Sequence, residues 1–397
     1  MSEFIAQHPI IGATLRSIVA LVLLLTAVAY LTWFERKVVA HIQSRWGPWM
    51  VGPHGLLQPL ADALKGIFKE DPTPQGADKF VYHLAPFLSL SLALSSIALI
   101  PFGPQPLLGV SNVNTGLLVL FAITSLSVYG VVLAGWSSNS KYPLLGGLRS
   151  SAQMVSYELS LTLSVIGVLL LVGSFNLRDI IANQQGHYWG IVPRWHIFAA
   201  PLPQVIGLLC YFIAAVAETN RAPFDLPEAE QELVAGFHTE YASMKFATFF
   251  IAEYTAMVTV AIVASLLFFG GWLSPFPDSW TWTHYFPTLF CLAGAAWLVW
   301  DGLRYPTKFG RVLLPILGAV LAVVGVLCAL GGVNEIVQGP FWFVSKVFVF
   351  LFIYVWVRGT LPRFRYDQLM GFGWKILLPV ALANVLLTAL AALVLKR

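Results

Sequence analysis

Charged residues are scarce in this chain of 397 residues, where Asp, Glu, Lys and Arg together make up only 11%. A soluble domain carries about 25% of these residues. Hydrophobic residues reach 58% instead, and the mean hydropathy is +0.76. The composition therefore excludes an ordinary soluble globular protein and favours a membrane protein.

Cysteines are few, and the common catalytic motifs are missing. The three cysteines, Cys210, Cys291 and Cys328, lie in separate apolar runs without a CxxC spacing, which excludes a disulfide framework and an iron–sulfur or zinc signature. The eight histidines are scattered, and the chain has no P-loop, GxGxxG, HExxH or GxSxG motif. We therefore expect no metal ion and no cofactor bound by this chain alone.

Long apolar runs recur along the whole chain, and each can cross about 30 Å of hydrocarbon as a helix. They lack the alternation of barrel strands, so the predicted fold is an all-α, polytopic membrane helix bundle of about ten transmembrane helices. The first run is interpreted as a retained helix rather than a signal peptide. The predicted spans are 14–33, 83–102, 116–136, 153–175, 201–219, 246–270, 286–300, 312–331, 341–357 and 376–395.

The charge of the loops predicts the orientation. One alternate set of loops holds 17 of the 23 Lys and Arg residues, and the positive-inside rule places such loops in the cytoplasm. Both termini are then outside, and we expect a bacterial cytoplasmic membrane. The inner loops are 34–80, 137–152, 220–245, 301–311 and 358–375.

The first inner loop contains an amphipathic segment, GLLQPLADALKGIFKED at 55–71. Apolar residues recur on one side at helical spacing, and polar residues such as Asp62 and Lys65 recur on the other. The segment is too charged to span, so it predicts a surface helix. Two interpretations stay open: a helix that lies on the headgroups or covers the bundle, and a helix that frames a lateral entrance for a lipid-soluble ligand.

Four acids lie inside or at the ends of the predicted spans: Glu35, Glu158, Glu218 and Glu253. Carboxylates in a bilayer are costly and usually face a bundle interior or a water-filled cavity. All four fall in the cytoplasmic half at 1.5 Å per residue, which predicts a chain of groups that gain and lose protons. A pairing of Glu253 with Lys346 is the alternative for that residue.

AETNRAPFDLPEAEQELVAG at 217–236 concentrates acids in one loop. Asp225 is a candidate N-cap of a short helix, with Glu228 at the N3 position of a capping box. Glu230 and Glu232 would then be solvated. The alternative is that the loop links Glu218 to a functional site at the inner face.

Four stretches carry a family resemblance, in this order: WFERKVVAHIQSRWGPWMVGPHGLLQPLADALKGIFKE, GWSSNSKYPLLGGLRSSAQMVSYELS, AETNRAPFDLPEAEQELVAGFHTEYASMKFATFFIAEY and WVRGTLPRFRYDQLMGFGWKILLP. They resemble the H subunit of NADH–quinone oxidoreductase, respiratory complex I, which is called subunit 1 in mitochondria. The family core has eight spans, so 271–338 is expected to be an inserted transmembrane hairpin. The expected organisation is 1–270 with core spans one to six, the insertion 271–338, and 339–397 with the last two core spans.

The resemblance implies a membrane subunit of a proton-translocating NADH–quinone oxidoreductase, without a redox centre of its own. Such a subunit anchors the hydrophilic arm and forms the access chamber for ubiquinone or menaquinone. Flavin and iron–sulfur clusters are expected in partner subunits, which include the cluster-bearing and quinone-site subunits, small membrane subunits and antiporter-like subunits.

The resemblance also implies roles for individual positions. Positions that match charged residues at or near the quinone cavity are Arg36, Arg45, Asp62, Lys65, Arg149, Arg358 and Arg363. Positions that match the acidic proton path are Glu35, Glu158, Glu218, Glu228, Glu230, Glu232, Glu240 and Glu253. Arg221 and Asp225 accompany this path and are assigned to quinone binding as well.

Two other functions share parts of the pattern. A stand-alone proton or cation transporter would also use intramembrane acids, but no internal repeat is visible and the inner loops look like a docking face. The membrane subunit of a related membrane-bound hydrogenase shares the acidic motif. The loop from RWGP to LQP and the PRFRYDQLM segment favour the quinone enzyme.

Overall fold

The computed structural model describes residues 9–105, 108–199, 202–225, 235–277 and 279–395. Within these ranges the chain is an all-α bundle with one small strand pair, as predicted. The helices are α1 (Pro9–Ile42), α2 (Gln58–Phe68), α3 (Lys79–Ser95), α4 (Gly116–Ser137), α5 (Lys141–Val172), α6 (Leu177–Asn183), α7 (Val205–Glu218), α8 (Ser243–Phe268), α9 (Phe286–Arg304), α10 (Lys308–Cys328), α11 (Gly331–Thr360), α12 (Tyr366–Phe372) and α13 (Leu378–Leu395).

Shorter elements join the helices. A π-helical turn at Gly373–Leu377 makes α12 and α13 nearly continuous. Strands β1 (His187–Tyr188) and β2 (Val192–Pro193) pair antiparallel. Single 3-10 turns lie at Pro53–Gly55, Ser96–Leu99, His196–Phe198, Gly236–His238 and Thr281–Tyr285.

Ten helical segments account for the ten predicted spans. Among the described residues, nine segments are long and apolar enough to cross a membrane, with α12 and α13 forming one of them. Helix α7 is the tenth and is shorter. The predicted polytopic bundle is therefore confirmed, and the chain is an integral membrane protein.

Helix α8 forms the centre of the bundle. In its most apolar stretch 78% of the residues are buried, a larger share than in the other long spans of the described chain. It packs against α1, α3, α7 and α11. Its partners leave its one acidic side chain, Glu253, inside the protein rather than toward lipid.

Helix α5 begins at Lys141, well before the predicted span start at 153. The predicted loop 137–152 is therefore mostly helical. The turn between α4 and α5 is short and needs a glycine at position 135, because a Cβ there would lie 2.5 Å from the Pro143 carbonyl oxygen. Without side chains the two helices can approach closely, as small residues allow in membrane proteins.

The five predicted inner loops meet at one end of the bundle, which we call the inner end. Ser243 Oγ donates to the Gly66 carbonyl at 2.7 Å. The Phe364 amide donates to the Pro223 carbonyl at 3.1 Å, and the Asp78 amide to the Ser137 carbonyl at 3.2 Å. His54 contacts Asp301 at 2.6 Å. The predicted alternation of loops is thus reproduced by direct contacts.

The predicted amphipathic helix is α2, which lies at the inner end and buries none of its residues. Its apolar side chains stay open, with Leu60 59% and Phe68 84% exposed. It does not cover the bundle with its apolar side. At the opposite end, α6 and the β1–β2 pair form an ordered outer loop that the sequence did not predict.

Candidate functional site

A buried group of charges surrounds Glu35, which is only 4% exposed. Its Oε1 is in direct contact with the Arg358 guanidinium and lies 3.6 Å from Nη1 of Arg221. The Tyr254 hydroxyl donates to Oε2 at 2.6 Å. A buried carboxylate is stable only with such partners. Helices α1, α8 and α11 therefore converge on one ionised group.

Segment 219–225 delivers Arg221 to this group, which we call the Glu35 cluster. The Gln153 side chain donates to the carbonyls of Ala217 and Phe224, both at 2.8 Å. The Arg221 guanidinium then lies 4.1 Å from the centre of the Tyr254 ring. The segment is folded into the protein, so its charges are held rather than solvated.

Asp225 extends the cluster toward the inner end. It is 6% exposed and pairs with Arg363 at 3.0 Å. The described chain stops at Asp225 and resumes at Ala235. Glu228, Glu230 and Glu232, and hence the predicted capping box, lie outside the described residues.

The other predicted quinone-site residues are more exposed. Arg36 pairs with Asp62 of α2 at 2.7 Å, and Gln58 donates to the same carboxylate at 2.9 Å. Arg45 and Lys65 lie on the surface nearby. These residues are near one another at the end of α1.

Arg149 makes a different contact. It is on α5, where its guanidinium is 5.7 Å from the centre of the Tyr366 ring of α12. The structure therefore divides the predicted basic residues among three places: the Glu35 cluster, the surface beside α2, and the contact between α5 and α12.

A cavity of about 70 Å³ lies deeper in the bundle; most of its surface is apolar, and Glu218 and Glu253 are among the residues that line it. Its volume suits about two water molecules. Several hydroxyl and amide side chains also line it: Ser89, Ser96, Thr124, Ser127, Thr219, Asn220 and Thr259. These groups can hold ordered water beside two carboxylates.

The hydroxyl groups that line this cavity were not predicted from the sequence. In apolar helices Ser and Thr commonly bond to a carbonyl one turn back, so their presence alone does not indicate a polar cavity. Ser96 does both, since its Oγ donates to Ala93 and also contacts Thr259 Oγ1 at 3.1 Å. Only the packing of α3 against α8 distinguishes this serine from a structural one.

The predicted acids are linked through the cavity. Glu158 accepts a hydrogen bond from Ser125 and is close enough to interact electrostatically with Glu218. Glu253 interacts in the same way with Arg221 and Asp225. The geometry thus connects the Glu35 cluster to Glu158 through Glu253 and Glu218.

Glu240 and Lys346 stand outside this connection. The Glu240 carbonyl accepts from the Tyr82 hydroxyl at 2.7 Å, and among the described residues its side chain is not part of the cavity lining. Lys346 donates to the carbonyls of Phe269, Gly271 and Leu273 at 2.6–2.9 Å. The alternative pairing of Glu253 with Lys346 is therefore wrong, because three carbonyls already hold the ammonium group.

An apolar groove of about 500 Å³ runs along α1 toward the residues next to Glu35. It lies between α1, α8 and α11 and extends along α1 from Ala20 to Phe34, the residue before Glu35. Leu351 lines its α11 side, two turns before Arg358. The groove is thus apolar along its described lining, and on α1 that lining ends at the residue before Glu35.

A second apolar cleft, of about 640 Å³, lies between α7, α11 and α12. Phe212, Phe224 and Phe364 line it, next to the pair of Asp225 and Arg363.

The described residues contain no candidate metal site. In those ranges no three His, Cys, Asp or Glu residues are grouped closely enough to hold an ion.

Comparisons with known proteins agree on one family. A family model described as NADH dehydrogenase matches residues 15–308 and 307–389. The chain is 49% identical over 372 residues to the NADH-quinone oxidoreductase H subunit 1 of Solibacter usitatus (strain Ellin6076), covering 92% of each chain. It is 50% identical over 395 residues to the NADH-quinone oxidoreductase H subunit 2 of Koribacter versatilis (strain Ellin345), covering 95% of this chain and 96% of the relative.

A more distant relative is covered just as fully. The H subunit of NADH-quinone oxidoreductase from Rhodospirillum centenum (strain ATCC 51521 / SW) is 44% identical over 391 residues, which is 98% of this chain and 97% of that one. The similarity therefore includes both the four motif stretches and the segments between them.

Proposed function

Since the chain belongs to the NADH dehydrogenase family, as an H subunit of NADH–quinone oxidoreductase, we propose that it forms the quinone access chamber of that complex and couples it to a path of carboxylates. The chain is thus a membrane subunit of an enzyme complex. We expect the electrons to come from flavin and iron–sulfur clusters in partner subunits.

The groove whose α1 lining reaches Phe34, the neighbour of Glu35, is the observation that carries the quinone proposal. A quinone has an apolar tail and a polar headgroup, so it fits a channel that is apolar along its length and charged at one end. The groove is lined by aliphatic and aromatic side chains up to Tyr30, Trp33 and Phe34. Beyond Phe34, Glu35 and Arg358 provide the charged end.

The chain's own residues would position the headgroup and respond to its charge. Arg221 and Arg358 remain cationic at any relevant pH. A change of charge beside them alters how strongly they hold Glu35, and Arg221 also interacts with Glu253. The proposed coupling passes from Glu35 through Arg221 to Glu253, Glu218 and Glu158.

Protons would move through the cavity lined by Glu218 and Glu253, by way of these carboxylates and the hydroxyl groups beside them. Glu218 and Glu253 face the same small cavity, and Ser125 donates to Glu158 next along. Water held by the hydroxyls would bridge gaps that side chains do not close. The antiporter-like subunits are the proposed recipients of the change.

The inner end is the proposed face for the hydrophilic arm, and the bacterial cytoplasmic membrane is the proposed location, with both termini outside. The open apolar side of α2 supports this, since Leu60 and Phe68 need lipid or a partner subunit to cover them. The small membrane subunits are further proposed partners. The proposed substrate is ubiquinone or menaquinone, since both have the apolar tail that the groove would take.

Substitution of the cavity acids tests the proton path. In assembled complexes, Glu218→Gln or Glu158→Gln should lower quinone reduction and proton pumping by about tenfold or more, a typical contribution of an acid–base group. Glu70→Gln is the control, because Glu70 is an exposed carboxylate at the inner end. Wild-type turnover and pumping in both cavity variants would reject the path.

A further inference from the structure

His54 lies in the loop between α1 and α2, and three of its polar groups contact other elements. Its amide donates to the Tyr305 hydroxyl at 3.0 Å, and its carbonyl accepts from Nε1 of Trp33 at 3.2 Å. Its ring Nε2 contacts Asp301 at 2.6 Å. One residue thus joins α1 to the end of α9.

The loop, residues 46–55, is folded tightly around this contact, and we call it the tryptophan loop. Gly52, His54 and Gly55 have positive φ values of 75°, 53° and 76°. The Leu57 amide closes the loop by donating to the Val51 carbonyl at 3.2 Å. A loop with so many left-handed residues depends on outside contacts to select one conformation.

Aromatic packing reinforces the polar contacts. Trp49 stacks on Tyr305 with ring centres 5.8 Å apart, and it meets the His54 ring edge-on at 4.6 Å. Trp297 packs on the other side of His54 at 6.4 Å. Residues of the α9–α10 hairpin, namely Trp297, Asp301 and Tyr305, therefore surround the tip of the tryptophan loop.

Asp301 is the only acid among residues 279–334, where Arg304, Lys308 and Arg311 are the basic residues. The carboxylate and its His54 partner are 21% and 24% exposed, so the pair is partly shielded from water. A charge-assisted hydrogen bond of this length holds its groups in a defined geometry. Neither residue belongs to the proposed proton path or to the Glu35 cluster.

The tryptophan loop in turn controls two parts of the proposed quinone site. Trp33, which donates a hydrogen bond to the His54 carbonyl, lines the groove one residue before Phe34, where the α1 lining ends. The loop also leads directly into α2, whose Asp62 pairs with Arg36 beside Glu35. The position of the loop therefore sets both the wall of the groove and the placement of α2.

We propose that the α9–α10 hairpin clamps the tryptophan loop in place, with His54 and Asp301 as positioning residues for quinone access. The proposal rests on the proposed function of the groove. The hairpin then has a specific role in the bundle: it holds the tryptophan loop, and thereby the charged end of α1, in one position.

Release of the clamp should be visible without any quinone. In the purified complex, Asp301→Asn and His54→Asn should accelerate hydrogen exchange in the segment 46–57, measured by mass spectrometry. Asn tolerates the left-handed backbone of position 54, so the backbone itself is not strained by the change. Glu70→Gln, an exposed acid outside the contact, should leave the exchange unchanged.

The same variants should raise KM for a long-tailed quinone by roughly threefold to tenfold and change kcat by less than about twofold, since they alter access rather than chemistry. The exchanged pair, His54→Asp with Asp301→His, should restore both readouts because Asp also tolerates the left-handed backbone. Should Asp301→Asn fail to assemble, Tyr305→Phe removes only the hydroxyl bonded to the His54 amide and should give a smaller effect of the same kind.

Unchanged exchange in 46–57 would overturn the clamp while leaving the proposed function untouched. Faster exchange with an unchanged KM would also overturn it, because the loop position would then be irrelevant to access. A failure of the proposed function is seen elsewhere, as wild-type turnover and pumping in the variants of Glu158 and Glu218.

Discussion

Glu35 is placed between two guanidinium groups, and this arrangement determines how it can respond to a ligand. Arg358 reaches it from α11 and Arg221 from segment 219–225, while Tyr254 occupies its second oxygen. The two arginines exceed the one carboxylate by one charge, and Glu35 and Arg221 are both buried. A ligand that gains negative charge at the end of the groove would therefore compete with Glu35 for the same guanidinium groups.

At the residue scale, the sequence identified the acids better than their partners. Glu35, Glu158, Glu218 and Glu253 stood out because a carboxylate in an apolar run has few explanations. The choice of Arg221 and Arg358 over Arg36 for Glu35 depends on how segment 219–225 folds back onto Gln153. No local pattern encodes that fold, so the pairing was not predictable.

Two buried histidines outside the spans predict a loss of stability in acid. Burial lowers the pKa of His238 from 6.5 to about 4, and burial likewise lowers the pKa of His196 from 6.5 to about 4. Below pH 6.5 the unfolded chain takes up these protons first, so the free energy of unfolding falls as the pH falls toward 4. At pH 5.5 each histidine should lower the free energy of unfolding by about 1.4 kcal/mol.

Thermal unfolding of the solubilised complex at pH 7.5 and pH 5.5 checks this. His238 packs against Phe237, Phe246 and Phe250, so His238→Phe keeps an aromatic ring there. The variant should lose less stability than the wild type between the two pH values, with His196 still contributing. Equal losses in both proteins would contradict the assignment.

At the scale of elements, the groove between α1, α8 and α11 makes a direct steric prediction. Ala27 lines the groove on α1. Ala27→Trp should fill the channel and raise KM for long-tailed quinones by about tenfold, since the tail must pass the added ring. Steady-state kinetics with quinones of increasing tail length should show the effect growing with length.

The matched control for this variant is Val22→Trp. Val22 is on the same helix and 57% exposed, but it does not line the groove. It should therefore leave KM unchanged. Equal effects of the two tryptophans would attribute the change to α1 itself, and no effect of Ala27→Trp would remove the groove from the quinone route.

The elements were predicted where hydropathy and helix formation coincide. The apolar runs located the spans because a membrane helix needs about twenty apolar residues. The start of α5 at Lys141 was missed, since residues 141–152 are helical but include Lys141, Arg149 and several small or polar residues, so they are not an apolar run. Ser150, for example, contacts the Asn220 side chain at 3.0 Å. Hydropathy measures how apolar the side chains of a segment are, and it does not show whether the backbone is helical.

The outer loop was missed for a related reason. Residues 176–200 lie between two predicted spans, and no helix or strand was predicted in them, yet they contain α6 and the β1–β2 pair. Asn176 caps α6 by accepting from the Arg178 amide at 2.9 Å. His196 is buried there and bonds to the Leu267 carbonyl at 2.6 Å. The contact between this loop and α8 is long-range and leaves no periodic signal.

At the scale of the whole molecule, the two ends of the bundle differ in chemistry. The inner end gathers the Glu35 cluster, the pair of Arg36 and Asp62, and the tryptophan loop. The outer end has the β1–β2 pair and the carbonyls that hold Lys346. Since basic residues concentrate at the inner end, the positive-inside rule assigns that end to the cytoplasm.

Surface labelling of single cysteines tests the orientation of the whole chain. Lys308 is exposed at the inner end and Gln185 at the outer end. A membrane-impermeant maleimide should label Gln185→Cys in intact cells with a permeabilised outer membrane, and Lys308→Cys only in inverted vesicles. The unsubstituted chain gives the background, since Cys210 and Cys328 are buried and Cys291 lies within the apolar part of α9. Lys308 begins α10 at the end of the bundle where His54 contacts Asp301, so its position also reports the placement of the α9–α10 hairpin. Labelling of both variants from the same side of the membrane would therefore contradict the arrangement of the entire bundle.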